Sequence, residues 1–265
     1  MKLQTNGTRR ILSGLALALA VMCPSRDAAA MSVDPVILGS ASGFAALAGS
    51  GITFAGSGPT TIQGDIGGVP SASITGLANL LLDGVNHAND AVAQSAHGAL
   101  LSAYNDAAGR TATTLYGAVF DLGGQTLAPG VHNGSSSLEV TGVLTLDAGG
   151  DPTAVWIIQA GSTLTLASGS QIVLAGGAQA QNVFWQVGSS ATLGTDAYFV
   201  GSLLALTSIT LNTGADVDGR MLALNGAVTF DNNALTVPEA STIQLLGLGL
   251  AVLAGVRRRF KASSY

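Results

Sequence analysis

Ser190-Ala191-Thr192-Leu193 returns as Ser208-Ile209-Thr210-Leu211 and, more weakly, as Ala227-Val228-Thr229-Phe230, with Thr163-Leu164-Thr165-Leu166 upstream. The last three threonines stand 18 and 19 residues apart, and the step from Thr165 to Thr192 is 27. Alternation with period two puts the threonines on one face of a strand and Leu, Ile and Phe on the other. A near-constant spacing of this length is the signature of a solenoid, in which each coil lays a strand on its counterpart in the next. The pattern predicts a ladder of outward hydroxyls and methyls, about 4.8 Å apart between coils and about 6.7 Å apart along each strand.

Working outward, Val155-Trp156-Ile157-Ile158, Val183-Phe184-Trp185-Gln186-Val187, Leu203-Leu204-Ala205-Leu206 and Met221-Leu222-Ala223-Leu224 read as a second stacked face. A third is suggested by Ile172-Val173-Leu174, Tyr198-Phe199-Val200 and Ala215-Asp216-Val217. Three faces in one coil describe a triangular solenoid over about 33–236. Its core is expected to hold Trp156, Leu164, Phe184, Leu193, Ile209, Leu211, Val228 and Phe230. One segment keeps a different rhythm. Val92, Ala96, Ala99, Leu100, Ala103 and Ala107 fall at helical spacing, and Gly109 is a good stop, which predicts a helix over about 87–108. At 1.5 Å per residue it would run about 33 Å along the coils.

The two ends differ from the middle. In residues 1–30, Arg9 and Arg10 precede an apolar run over 11–22, and Ala28-Ala29-Ala30 offers small residues for cleavage, so this stretch reads as an export signal. Cys23 is the only cysteine, and Met22 before it fits a lipoprotein signal poorly. Val237-Pro238-Glu239-Ala240-Ser241-Thr242 is followed by an apolar run over 243–256 and then Arg257-Arg258-Arg259-Phe260-Lys261. As residues alone, 238–265 are a short tail anchor with its basic end held on the cytoplasmic side. The trio also resembles the PEP-CTERM sorting tail of exopolysaccharide-producing Gram-negative bacteria, with Ala240 where a second proline is usual. That resemblance implies Val237, Pro238 and Glu239 as a sorting motif cut by an exosortase-type enzyme, membrane contact only through the tail, and a final place in the cell envelope or outside it.

Between the ends, residues 31–237 form one domain with two basic residues, Arg110 and Arg220, against thirteen acids, a charge of −11 where the whole chain shows −5. Nucleic-acid binding needs Lys and Arg to neutralise phosphates and is excluded as a function class. A Walker-type phosphate loop is excluded because its lysine is missing. The two arginines read as structural, pairing with nearby acids or carbonyls. For His87, His97 and His132 a surface role outweighs metal ligation. Asp216 and Asp218 supply too few oxygens for calcium. Solenoids also carry glycoside-cleaving enzymes, which need two carboxylates at a fixed separation, but nothing in the sequence places such a pair.

At the level of whole segments the chain is similar to the ice-binding-like family of bacterial and fungal antifreeze proteins. The matching stretches include Leu38-Gly39-Ser40-Ala41-Ser42-Gly43-Phe44, Ile62-Gln63-Gly64-Asp65-Ile66-Gly67, Ala103-Tyr104-Asn105-Asp106, Leu127-Ala128-Pro129-Gly130-Val131, Asn182-Val183-Phe184-Trp185-Gln186-Val187 and Asp218-Gly219-Arg220-Met221-Leu222-Ala223. The resemblance implies a mostly β fold, a right-handed β-solenoid with a long helix alongside. It also implies an N-terminal segment that forms a coil beside the C-terminal ones. The family's ice-facing strands carry a Thr–small–x–Thr-like motif. Thr207-Ser208-Ile209-Thr210 matches it well; Ser189-Ser190-Ala191-Thr192 and Ser162-Thr163-Leu164-Thr165 match it loosely, and Gly226-Ala227-Val228-Thr229 opens with glycine. The implied partner is ice or ordered water, met by Thr163, Thr165, Ser190, Thr192, Thr207, Ser208, Thr210, Ala227 and Thr229, without cofactor or catalysis. The alternative is a non-catalytic matrix or adhesion module associated with exopolysaccharide.

Overall fold

A computed structural model describes residues 33–238, apart from position 72. The fold is mostly β: parallel strands stacked in three rows, with one long helix. The first row is an eight-stranded sheet in the order Ile74–Thr75, Gly51–Ala55, Ala227–Asp231, Ile209–Leu211, Ala191–Leu193, Leu164–Leu166, Ser137–Val140 and Val119–Asp121. The second stacks Phe44–Ala48, Asp216–Ala223, Tyr198–Ala205, Val183–Val187, Trp156–Ala160 and Gly130–Gly134 in that order. A third row runs from Leu80–Asp83 through Thr60–Gln63 and Ala234–Thr236 to the leading half of Asp216–Ala223. Through Tyr198 it passes to Gln171–Ala175 and Val143–Asp147. The three faces therefore use the segments whose alternation suggests them.

Chain order and spatial order differ, as the family resemblance implies. Gly51–Ala55 pairs with Ala227–Asp231, so the N-terminal coil lies against the C-terminal one. The helix makes this possible. After Asn86–Ala88 the chain stands at one end of the stack, and the next strand, Thr114–Tyr116, lies at the other. Crossing eight steps of about 4.8 Å takes about 38 Å. Nineteen helical residues supply about 28 Å of it.

The helix is Ala91–Gly109, not 87–108. The Asp90 carboxylate accepts the Ala93 N–H at 2.8 Å and so caps the first turn. His87 and Ala88 belong instead to the strand Asn86–Ala88, where His87 pairs in register with Gly67. The expectation that His87 and His97 share a helix is thus corrected. Ala93, Ala96, Leu100, Ala103, Tyr104 and Ala107 line the buried stripe, packed on Leu47, Ile157, Phe184, Leu204 and Leu222. Alanine at four of the six positions lets the helix lie close on the sheet. At its end Gln159 Nε2 donates to the carbonyls of Ala107 at 2.7 Å and Arg110 at 2.9 Å, groups that a helix terminus leaves without intrahelical partners.

All eight expected core residues are at most 2% exposed. Seven of them join Ile52, Phe54, Trp185 and Phe199 inside the coils, whereas Phe184 faces the other way and is buried beneath the helix. Of the histidines, His132 departs from the surface reading. It is 4% exposed, with Nε2 donating to the Ala128 carbonyl at 2.9 Å and Nδ1 accepting from the Tyr116 hydroxyl at 3.0 Å. Burial pushes its pKa below the usual 6.5. The unfolded chain then binds a proton below 6.5 that the native state refuses, so stability should fall as pH drops through that value. Melting curves between about pH 7 and pH 5 test this: the slope should flatten in His132→Leu. An equal slope in both proteins removes His132 as its cause.

Candidate functional site

The eight-stranded row carries the candidate surface. Its registered pairs are Thr75 with Thr53, Thr53 with Thr229, Thr229 with Thr210, Thr210 with Thr192 and Thr192 with Thr165. Six threonines therefore stand in one unbroken line, spanning five strand steps or about 24 Å. For every threonine but Thr75, which lies at the end of the row between Gly76 and the half-buried Ile74, the residues on either side, such as Ile209 and Leu211 around Thr210, point into the core and pin the strand. All six threonines are at least partly exposed. Among the described residues the hydroxyls of Thr165, Thr192, Thr210 and Thr229 have no protein partner, and Thr75 donates to Thr53 at 3.2 Å. The line presents methyls and unspent hydroxyls at a fixed repeat.

A second line runs two residues earlier and is different in kind. Ser190 Oγ is bonded to Thr207 Oγ1 at 2.8 Å and accepts the Ser208 N–H at 3.3 Å. The Ser208 hydroxyl accepts the Ala227 N–H at 3.3 Å. Thr163 Oγ1 shares a hydrogen with Ser137 Oγ at 2.8 Å. Gly51 pairs with Ala227, so the hydroxyls stop there. This line ties coils to one another and leaves less hydrogen bonding to offer outward. Thr207 sits beside it, engaged with Ser190, rather than in the main line.

At the far end the main line changes character. Thr165 pairs with Glu139, and Glu139 with Asp121. The Asp121 carboxylate accepts the N–H groups of Gly123 and Thr141, at 2.8 and 2.9 Å, and the Thr141 hydroxyl. These bonds outweigh partial burial and hold its pKa below the usual carboxylate value. The uncharged surface thus runs from Thr75 to Thr165 and ends on two carboxylates.

The nine residues read from the sequence fall on or beside this face. The sequence pattern missed Thr53 and Thr75. Ile52-Thr53-Phe54 and Ile74-Thr75 carry the same alternation, but they lie far upstream in the chain and join the line only through the Gly51–Ala55 pairing. The arginines are structural: Arg110 forms a two-point pair with Asp106, at 2.9 and 2.8 Å, and Arg220 donates to the Ser42 carbonyl at 2.8 Å. Among the described residues no group of three or more His, Cys, Asp or Glu comes together to hold a metal ion. Nor is any helix among them long and apolar enough to cross a membrane. The export signal and most of the tail, Glu239 onward, lie outside the described residues.

The fold and site define a class of repetitive parallel-β proteins whose stacked strands present a registered, uncharged threonine line. Residues 46–236 match the ice-binding-like family, and the chain belongs to it. It is 45% identical over 251 residues to an ice-binding protein of Nostoc sp. (strain HG1), covering 89% of this chain and 91% of that protein. Against the ice-binding protein of Flavobacterium frigoris (strain PS1) the identity is 37%, over 78% of each. The crystal structure of an ice-binding protein from an Antarctic biological consortium superposes with a TM-score of 0.74 at 46% identity, covering 78% of this chain and 93% of the other.

Proposed function

We propose that this protein binds ice, as an antifreeze or recrystallisation inhibitor, through the line Thr75, Thr53, Thr229, Thr210, Thr192 and Thr165, flanked by Thr163, Ser190, Thr207, Ser208 and Ala227. The observation that carries the reading is the unbroken register of six outward threonines. Ice offers a repeating lattice of water and nothing else. Rows of methyls confine surface water, and free hydroxyls anchor it, so the ordered layer can be shared with the crystal. Each contact is weak. A body already rigid loses little further entropy when many such contacts form together. We read the three rows as a right-handed triangular solenoid, which supplies that rigidity, and assign the protein no chemical turnover.

The wider organisation is part of the same proposal. Residues 1–30 direct export and are removed, 31–237 are the ice-binding domain, and 238–265 form a sorting or anchoring tail processed by an exosortase-type enzyme. The domain then acts in the envelope or outside it, near exopolysaccharide. Intact mass of protein from the native host checks the processing; a species that retains Arg257 and Tyr265 would favour a plain anchor. Recrystallisation inhibition and thermal hysteresis of the purified protein, repeated with a chelator, check the function. Activity should survive chelation. A protein that shapes no ice crystal yet binds a polysaccharide is an adhesion module instead.

A further inference from the structure

Two Asn-Gly pairs lie among the described residues, Asn133-Gly134 and Asn225-Gly226. Asparagine is a thermally labile residue, and a glycine after it leaves the next main-chain nitrogen unshielded from its amide carbon. The fold treats the two pairs differently. Asn133 lies inside the strand Gly130–Gly134, in register with Gln159 on one side and Leu115 on the other. It is half-buried, and its Nδ2 donates to Gln159 Oε1 at 2.8 Å. Closing a ring on this side chain would require the strand to leave both neighbours.

Asn225 sits in the bend between Asp216–Ala223 and Ala227–Asp231, where the chain passes from the second row to the first. It is exposed, and among the described residues neither its side-chain amide nor the Gly226 N–H has a hydrogen-bond partner. Packing dictates the glycine. A Cβ on Gly226 would stand 2.5 Å from Ser208 Oγ and 2.5 Å from the Thr207 carbonyl carbon of the coil beside it. The corner therefore demands the one residue that leaves its own nitrogen open to the asparagine before it.

We propose that Asn225-Gly226 is a site of spontaneous deamidation through a cyclic imide. The Gly226 nitrogen gives its proton to hydroxide and bonds to Asn225 Cγ. The Cγ–Nδ2 bond breaks, and the amide nitrogen takes a proton from water and leaves as ammonia, which regenerates the hydroxide. Water then opens the imide. Attack at Cγ leaves aspartate at 225, and attack at the main-chain carbonyl leaves isoaspartate, whose main chain runs through Cγ and is one methylene longer. Nothing is oxidised or reduced, and water is the only co-reactant. The longer product falls on a seam. The Ser50 N–H donates to the Gly226 carbonyl at 3.0 Å, tying the N-terminal coil to the last one, and the Asn225 N–H donates to the Leu206 carbonyl at 3.1 Å. Val228 and Phe230, both 0% exposed, fix the strand that follows, so the extra length strains these two bonds. Mass, charge and melting temperature read the change, and none of them depends on ice binding.

The test holds the full chain in mild detergent and mildly alkaline buffer for weeks and maps its peptides by mass spectrometry. Asn225 should become a carboxylic acid at least about tenfold faster than Asn133, because paired strand must open before Asn133 can react. In concentrated urea the two sites should react at one rate. The acidic product is separated by anion exchange, and labelling by an isoaspartyl methyltransferase identifies its isoaspartate. That product should melt about 2–4 °C below the fresh protein. Asn225→Gln, which would have to close a larger ring, should yield no such product and melt with the wild type. Equal rates at the two sites in the folded protein overturn the proposal. So does an undiminished difference in urea, since the fold would then not be its cause. An isoaspartate product that melts with the fresh protein overturns the effect assigned to the seam.

Discussion

Thr210→Tyr should abolish ice shaping and recrystallisation inhibition while leaving the fold intact. Thr210 occupies an interior position of the line, paired with Thr192 on one side and Thr229 on the other. A ring there stands above the plane of its neighbours and holds the crystal away from all of them, so one change disables many weak contacts. The fold is spared because the side chain points outward while Ile209 and Leu211, 0% and 1% exposed, hold the strand. Outward substitutions of this kind shift stability by about 0.5 kcal/mol or less, a few degrees in melting temperature at most. Thr53→Tyr should have the same effect, although no repeat spacing marks it. Val173→Tyr, on the third row and 39% exposed, should do no harm. Loss of activity at Val173 with none at Thr210 would place the ice contact on another face.

The second large effect concerns the corner where two long strands pass from one face to the next. Gly201 and Gly219 pair there in register, and Gly201 has φ +111°. A Cβ on Gly219 would stand 1.8 Å from the Gly201 carbonyl oxygen and 2.8 Å from its carbon. Neither atom can give way, because Val200 with Asp218 and Ser202 with Arg220 hold the ladder on both sides. Gly219→Ala should therefore cost about 3 kcal/mol or more, at the upper end for overpacking, and lower the melting temperature by about 6–12 °C. Gly98 is the control. A Cβ there meets nothing within 4 Å, and Gly98→Ala on the exposed side of the helix should stabilise by about 0.5–1 kcal/mol. Two Gly→Ala changes of opposite sign separate packing at the corner from backbone entropy. Equal effects at both positions would show that the corner is not tightly packed.

Much of this was legible in the residues because a strand has a period of two. In Ser208-Ile209-Thr210-Leu211 the alternation alone assigns Thr210 outward and Ile209 and Leu211 inward, whatever the strand pairs with. The recurrence at 18 and 19 residues assigns the neighbour as well, because consecutive coils stack. The helix was legible in its apolar spacing, but its start was not. Competition between the Asp90 cap and the pairing of His87 with Gly67 fixes it at Ala91, and that pairing is not local. The burial of His132 is likewise not readable from its neighbours alone, since its ring lies between the local Ala128 carbonyl and the Tyr116 hydroxyl of the strand stacked beside it.

By itself, then, the sequence determined the repeat, the identity of the core and the outward direction of Thr165, Thr192, Thr210 and Thr229. These follow from local geometry, where each residue's side is settled by its neighbours in the chain. Only the tertiary structure decided how far the face extends. Thr53 and Thr75 lengthen it because the helix carries the chain from one end of the stack to the other, leaving the first coil to pair with the last. Glu139 and Asp121 end it because they occupy the same register line. The tertiary structure also separated four free threonine hydroxyls from the serines spent on binding coil to coil. Pairing between distant segments obeys no period in the sequence, since what selects it is the burial of whole faces against one another.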